Sequence, residues 1–156
     1  NLPRREGMMV MKACLKRKRM PADAPCGAIR EWIRVPSTFR ALSDVRRFVS
    51  ALAMDCGFSA DDAFDIAIAT DEALANAILH GENRRRRNFV DIKVVCKNAL
   101  IVTVTSKGAF KNSASKCELG SESGRGLWLM SALMDRVTIS VGGGCTRVVM
   151  AKFKRR

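Results

Sequence analysis

The sequence predicts one α+β domain in which helices cover one face of a mostly antiparallel sheet. Apolar residues alternate with polar ones along five segments, which predicts strands, and recur at intervals of three and four along three others, which predicts helices. These segments follow one another as strand, helix, helix, two strands, loop, helix and two strands. The length of 156 residues fits a single domain with a core of its own.

The first half of this domain contains one strand and two helices. The segment "AIREWIRVP", residues 28–36, alternates and ends in a proline, as a strand does. Apolar residues over 39–56 then predict an amphipathic helix. Ser59 is followed by two aspartates and so predicts the N-cap of a second helix. We expect this helix to run to about His80 and to be ended by Gly81.

The second half contains two hairpins with a loop and a helix between them. The first hairpin should turn at Asn98. Residues 107–123 are polar and rich in glycine and serine, which predicts a loop of some mobility. The predicted elements of this half are strands at 88–97 and 99–106, a helix at 124–135, and strands at 136–141 and 145–153.

The net charge of +13 is unevenly distributed along the chain. Residues 1–20, Arg84–Arg87 and 152–156 hold the excess of lysine and arginine, and the remainder is close to neutral. We therefore expect a flexible basic segment at 1–27 and the folded domain at 28–156. Charge runs of this kind usually face solvent. The alternative for Arg84–Arg87 is a contact with phosphate or with an acidic protein surface.

Composition argues against several classes of protein. The chain has no tyrosine and two tryptophans in separate elements, and it lacks helix-turn-helix and zinc-finger patterns, so no nucleic-acid partner is expected. No apolar run approaches the roughly 18 residues of a membrane span. One histidine and no CxxC spacing favour free thiols of a cytoplasmic protein over a zinc site. The cysteines are residues 14, 26, 56, 96, 117 and 145.

The segment "DEALANAILHG", residues 71–81, combines apolar residues with a carboxylate and an amide on one helix face. An amide oxygen such as that of Asn76 suits a Mg²⁺ ion that keeps several waters and bridges phosphates. The carboxylate of Glu72, one turn away, can deprotonate an attacking hydroxyl. The alternative is that Asp71 and Glu72 form a solvated helix edge.

Two further features favour the site. His80 and Gly81 end the same helix, and Gly124 and Gly126 open a later helix directly after the polar loop. The start of a helix presents free backbone N–H groups and a positive dipole end, which suit a phosphate chain. The sequence contains no GxxxxGK[ST] motif. These residues therefore indicate phosphoryl transfer without a Walker loop.

Together, "DEALANAILHG" and "SGRGLWLMSALMDRV" resemble the GHKL superfamily of histidine-kinase-like ATPases, and within it the anti-sigma-factor serine kinases of the RsbW type. The resemblance covers residues 28–154 and implies a two-layer α/β sandwich. It implies Glu72 as general base and Asn76 as the ligand of Mg²⁺, with the loop at 107–123 as the ATP lid. The nucleotide-contacting positions that it implies are Asn76, His80, Ser106, Gly108, Gly124, Arg125, Gly126 and Leu127.

The resemblance also implies an activity and partners. The chain is expected to bind ATP and Mg²⁺ and to phosphorylate a serine on an anti-anti-sigma protein of the STAS type. A sigma factor is the other implied partner. A different class of function remains open: a non-catalytic or weakly nucleotide-binding module that sequesters a sigma factor or another regulatory protein. The sequence leaves the choice between monomer and homodimer open.

One motif departs from the family pattern. Where the family has Asp-x-Gly-x-Gly, with the aspartate accepting a hydrogen bond from the adenine amino group, this chain reads "SKGAF". Ser106 replaces the aspartate, which exchanges a charged acceptor for a neutral one at a cost of about 1–2 kcal/mol. That corresponds to roughly a tenfold weaker affinity for ATP. Phe110 replaces the second glycine, and it either fills space that glycine leaves to the ligand or folds onto the core.

Overall fold

A computed structural model describes residues 16–19, 29–81, 88–108 and 122–154 of the chain. Within these residues one six-stranded sheet packs against three helices. The elements are β1 (Lys16–Arg19), β2 (Ile29–Pro36), α1 (Ala41–Asp55), α2 (Ala60–His80), β3 (Phe89–Cys96), β4 (Ala99–Lys107), α3 (Glu122–Leu133), β5 (Arg136–Gly142) and β6 (Cys145–Phe153). This arrangement confirms the predicted α+β class.

The helix ends follow the signals in the sequence. The Ser59 side chain caps α2 by accepting a hydrogen bond from the backbone N–H of Asp62 at 3.1 Å. Gly57, just past α1, has a φ of 83°, a left-handed conformation that favours glycine. Gly81 also ends α2, but with an extended backbone at φ −63° and ψ 148°. The chain therefore leaves α2 directly in an extended path, without a left-handed turn.

All pairings in the sheet are antiparallel, in the strand order β1-β2-β3-β4-β6-β5. Alternate residues of β4 are buried on the helix side, and the same alternation continues on β3 and β6. The largest fully buried side chains are Ile33, Ile66, Leu74, Ile92, Leu100, Met130 and Met150. The core therefore lies between the helices and one face of the sheet. None of the described helices is long and apolar enough to cross a membrane.

β1 was not predicted. It lies within the segment at 1–27 that was expected to be flexible, and it reads "KRKR", which has no alternation of apolar and polar residues. Its residues pair with β2, where Lys16 is opposite Arg34 and Arg19 is opposite Glu31. The strand therefore depends on backbone hydrogen bonds to an existing sheet edge, a cause that its own sequence does not reveal.

Lys152 differs from the prediction that the basic residues at the C-terminal end face solvent. It is 4% exposed and lies on the helix side of β6. Its Nζ donates to the backbone oxygen of Leu133 at 2.6 Å and to Oδ2 of Asp65 at 3.3 Å, and lies 3.6 Å from Oδ1 of Asp62. One lysine thus links the end of α3 to the first turns of α2.

Other predictions fall outside the described residues. These are the middle of the loop at 107–123, including Phe110, and the basic run Arg84–Arg87. Three of the six cysteines are described, Cys56, Cys96 and Cys145, and all three are free thiols.

Candidate functional site

The helix α2 places Glu72, Asn76 and His80 on one side, since they stand four residues apart. Glu72 and Asn76 are half-buried and His80 is exposed. Their neighbours Leu74 and Ala77 are buried in the core. The carboxylate and the amide therefore lie at the border between the core and solvent, where side chains are held in position but can still reach a ligand.

Gly126 of α3 lies directly against this pair. A Cβ atom at residue 126 would come within 3.0 Å of Glu72 Cδ and 3.1 Å of Asn76 Nδ2, and would collide with Glu72 Oε1. Gly126 is also buried. The two sequence motifs, more than forty residues apart in the chain, thus meet at one point. Only a glycine fits there without displacing the carboxylate.

The rest of the glycine motif forms the beginning of α3. The helix begins at Glu122, two residues before the predicted start at residue 124, so Gly124 and Arg125 belong to its first turn. The first four backbone N–H groups of a helix have no partner within the helix, and that of Gly124 is among them. The Arg125 side chain is exposed. Leu127 is half-buried against the core and fixes this turn to the domain.

Ser106 and Gly108 lie at the end of β4. Ser106 is 8% exposed and faces the helices, opposite Thr146 of β6. Gly108 has a φ of 109°, which favours glycine. Its N–H donates to the oxygen of Gly144 at 2.8 Å, and its own oxygen accepts from Thr146 Oγ1 at 2.8 Å. These bonds fix the end of β4 to the start of β6.

The C-terminal end of α2 covers this end of β4. A Cβ atom at Gly81 would lie 3.6 Å from the oxygen of Lys107 and 2.6 Å from that of Ala77. His80 precedes Gly81 and so belongs to the same region. The predicted residues therefore form two groups on α2, one around Glu72, the other around His80. At 1.5 Å per residue, His80 lies about 12 Å from Glu72 along the helix and about 6 Å from Asn76.

Thr146 was not singled out by the sequence analysis. It is 3% exposed, and its hydroxyl holds Gly108 in place. In the sequence it is an ordinary strand residue after a glycine turn, "GGGCT". The available signal was a hydroxyl residue on the buried side of a strand, which needs a hydrogen-bond partner.

Asp71 contradicts the interpretation of Asp71 and Glu72 as a solvated edge. It is 9% exposed, and the Nε of Arg46 on α1 donates to its Oδ2 at 2.5 Å. Its Oδ1 is buried without a hydrogen-bond partner among the described residues. Burial raises the pKa of the Asp71 carboxyl, and the nearby Arg46 guanidinium opposes part of this effect. Adjacent acidic residues thus have different environments.

The group around Glu72 fits a nucleotide with Mg²⁺. The described residues contain no group of three or more His, Cys, Asp or Glu side chains that would hold a metal on their own. Mg²⁺ does not need such a group, because it keeps several waters and binds phosphate oxygens together with one or two protein ligands. Asn76 can supply such an oxygen, and the missing side chain at Gly126 lets α3 approach the side chains of Glu72 and Asn76 closely.

Sequence comparison matches residues 35–152 to a family described as the histidine kinase-like ATPase domain. The chain belongs to this family. ATP use is a property that the family name implies for it. Members of the histidine kinase-like ATPase family at similar length include proteins named Serine-protein kinase RsbW. That of Bacillus velezensis is 31% identical, with 78% of this chain and 83% of the relative covered. That of Bacillus licheniformis is 33% identical, with 72% and 78% covered.

Two solved structures share the fold of this chain. The crystal structure of the RsbU and RsbW domains of Rv1364c from Mycobacterium tuberculosis aligns with a TM-score of 0.63 at 20% identity. The alignment covers 85% of this chain but 34% of that larger chain. The histidine kinase domain of a blue-light activated kinase from Erythrobacter litoralis aligns with a TM-score of 0.50 at 19% identity, over 76% of this chain and 61% of that one.

Proposed function

We propose that the protein is an anti-sigma regulatory factor with ATP-dependent serine kinase activity. Its substrate would be a serine on an anti-anti-sigma protein of the STAS type, and its second partner a sigma factor. Two kinds of finding support this: relatives of similar length are named serine-protein kinases, and the site brings together residue types that phosphoryl transfer needs.

The single observation that carries the proposal is the contact of Gly126 with Glu72 and Asn76. In the proposed site, Asn76 holds Mg²⁺ through its side-chain oxygen. The free backbone N–H groups of the first turn of α3, including that of Gly124, would bind phosphate oxygens. ATP with Mg²⁺ supplies the phosphoryl group and the charge that stabilises its transfer.

Glu72 has a different task in this proposal. Its carboxylate accepts the proton of the serine hydroxyl on the partner protein, which makes that oxygen a better nucleophile. Half-burial beside Gly126 limits the positions that the carboxylate can adopt. A base that is held in place contributes more to the rate than one that moves freely.

A second candidate function is a binding module that sequesters a sigma factor without catalysis. Ser106 favours this candidate, because it places a neutral hydroxyl on the buried side of β4 where the resemblance calls for a carboxylate. The loss of a charged hydrogen bond weakens ATP binding by about tenfold but does not abolish it. The two candidates therefore differ in phosphate transfer more than in ATP binding.

The test is Glu72→Gln, compared with Asp55→Asn as a control at an exposed carboxylate outside the site. Purified wild type and both variants are incubated with ATP, Mg²⁺ and a STAS-type partner, and phosphoserine is measured by mass spectrometry. We expect Glu72→Gln to slow transfer by about 10²–10⁴-fold, the usual contribution of a general base, with nearly unchanged ATP affinity. Asp55→Asn should transfer phosphate at the wild-type rate.

A companion variant, Asn76→Ala, tests the metal site. It should lose Mg²⁺-dependent ATP binding in calorimetric titration while its urea unfolding curve stays close to that of wild type. If wild type transfers no phosphate to any serine-bearing STAS partner but binds a sigma factor, the enzyme assignment is wrong and the binding module is correct. A large fall in stability without a change in ATP affinity would make Asn76 a structural residue.

A further inference from the structure

The end of the site near Gly81 contains hydroxyl groups and no described carboxylate. The last turn of α2, the end of β4 and the start of β6 meet here, and Ser106 and Thr146 are their two buried polar residues. Asp71, the buried carboxylate of α2, instead faces Arg46 of α1. A ligand bound at this end would therefore contact the neutral hydroxyl groups of Ser106 and Thr146.

The hydroxyl of Ser106 remains available for a ligand. The side chain is 8% exposed and makes no hydrogen bond to another described residue. The neighbouring Thr146 is different, since its proton is already donated to the oxygen of Gly108 at 2.8 Å. A hydroxyl that makes no hydrogen bond to these residues can donate to or accept from a ligand or water.

The position of Ser106 suits the base of a nucleotide. The proposed phosphate-binding turn at Gly126 lies beside Glu72 and Asn76. Asn76 lies about 6 Å from His80 along α2, and Glu72 lies about 12 Å from it. The larger of these separations is of the order of an extended triphosphate with its ribose. A nucleotide whose phosphates lie at Gly126 therefore places its base beside Ser106 and Gly108.

We propose that Ser106 makes the site accept purine nucleotides with either an amino or a carbonyl group at position 6, so that ATP and ITP bind with similar affinity. A carboxylate only accepts hydrogen bonds, and so selects an amino group and repels a carbonyl oxygen. A serine hydroxyl donates or accepts by rotating its proton. This inference rests on the proposed nucleotide site and specifies its substrate class.

The experiment is calorimetric titration of the full chain with ATP and with ITP, each with Mg²⁺. For wild type we expect dissociation constants within about threefold of each other, since both hydrogen bonds are neutral. Ser106→Asp should bind ATP more tightly and ITP more weakly, which raises the ratio to tenfold or more, about 1.4 kcal/mol. Ser106→Ala should weaken both nucleotides equally.

Ser140→Asp is the matched control, because it adds the same charge at an exposed residue of β5. It should leave the ratio as in wild type. The wild-type comparison needs no variant, so it stands even if Ser106→Asp does not fold.

Three other outcomes would contradict the inference, each in a different way. A wild-type preference for ATP above about threefold would refute relaxed selectivity while leaving the nucleotide site intact. An unchanged ratio in a folded Ser106→Asp variant would mean that the base does not contact residue 106. Binding of neither nucleotide would refute the proposed nucleotide site and this inference with it.

Discussion

Gly126→Ala should separate stability from nucleotide binding. The added Cβ would come within 3.0 Å of Glu72 Cδ and 3.1 Å of Asn76 Nδ2. The end of the Glu72 side chain can rotate away, at a cost of about 0.5–1.5 kcal/mol for an unfavourable rotamer. Alanine in a helix gains about 0.5–1 kcal/mol over glycine. These effects nearly cancel, so the free energy of unfolding should change by less than about 1 kcal/mol.

Nucleotide binding should respond much more strongly. The added methyl group also crowds Asn76, the proposed ligand of Mg²⁺. Displacing Asn76 removes an interaction of about 1.5–3 kcal/mol, which weakens ATP binding by tenfold or more. The assays are urea unfolding followed by tryptophan fluorescence and calorimetric titration with ATP and Mg²⁺. Gly142→Ala is the matched control, because a Cβ at that residue of β5 meets no atom within 4 Å.

Two results would refute this reasoning. If Gly126→Ala binds ATP as tightly as wild type, the contact between α3 and α2 is not part of a nucleotide site. If its free energy of unfolding falls by about 3 kcal/mol, as for overpacking in a core, the contact is a packing contact that the backbone cannot relieve.

Three further predictions concern buried ionisable residues. Burial raises the pKa of Asp71, so the folded protein holds this proton more tightly than the unfolded chain, and the free energy of unfolding should fall as the pH rises above 3.8. In urea unfolding at several pH values, Asp71→Asn should become more stable relative to wild type across that window. A difference in free energy of unfolding that does not change with pH would contradict this. Burial, with a smaller contribution from a hydrogen bond with Cys96, raises the pKa of the Cys56 thiol to about 12. Iodoacetamide at pH 8 should therefore alkylate the half-buried Cys145 before Cys56, as mass spectrometry of the two peptides would show. Equal rates at the two cysteines would contradict this. Lys152→Met should lower the free energy of unfolding by about 1–3 kcal/mol, because the backbone oxygen of Leu133 loses its donor, and an unchanged urea midpoint would disprove this.

The regular elements were predictable because their cause is local. Residues 99–106 alternate in hydropathy, and the structure places Leu100, Val102 and Val104 on the buried face of β4. The Ser59 cap was equally clear, because serine is a preferred N-cap residue and aspartates stabilise the first turn of a helix. β1 was not predictable, because its pairing depends on the free edge of β2 rather than on its own residues.

The site was only partly predictable for a related reason. Residue type and spacing identified Glu72 and Asn76, since spacing on one helix is a local property. The contact with Gly126 depends on how α3 packs against α2. The sequence does not show which neighbouring side chain requires a glycine at position 126. The burial of Asp71 depends likewise on Arg46, a residue of another helix.

The hydrogen bond from Lys152 to Leu133 affects how precisely α3 is positioned against Glu72. Leu133, whose oxygen it binds, follows Gly126 by seven residues, so the lysine holds α3 about 10 Å from the point where the helix meets Glu72. Over that length, a tilt of only about 5° moves Gly126 by about 1 Å, and misplacements of this size can reduce the rate of a catalysed reaction by about 10²-fold. A residue outside the site thus sets the angle of the helix that completes it. If the proposed kinase site is correct, we expect substitutions at the distant end of β6 to change the rate of phosphate transfer without touching a ligand.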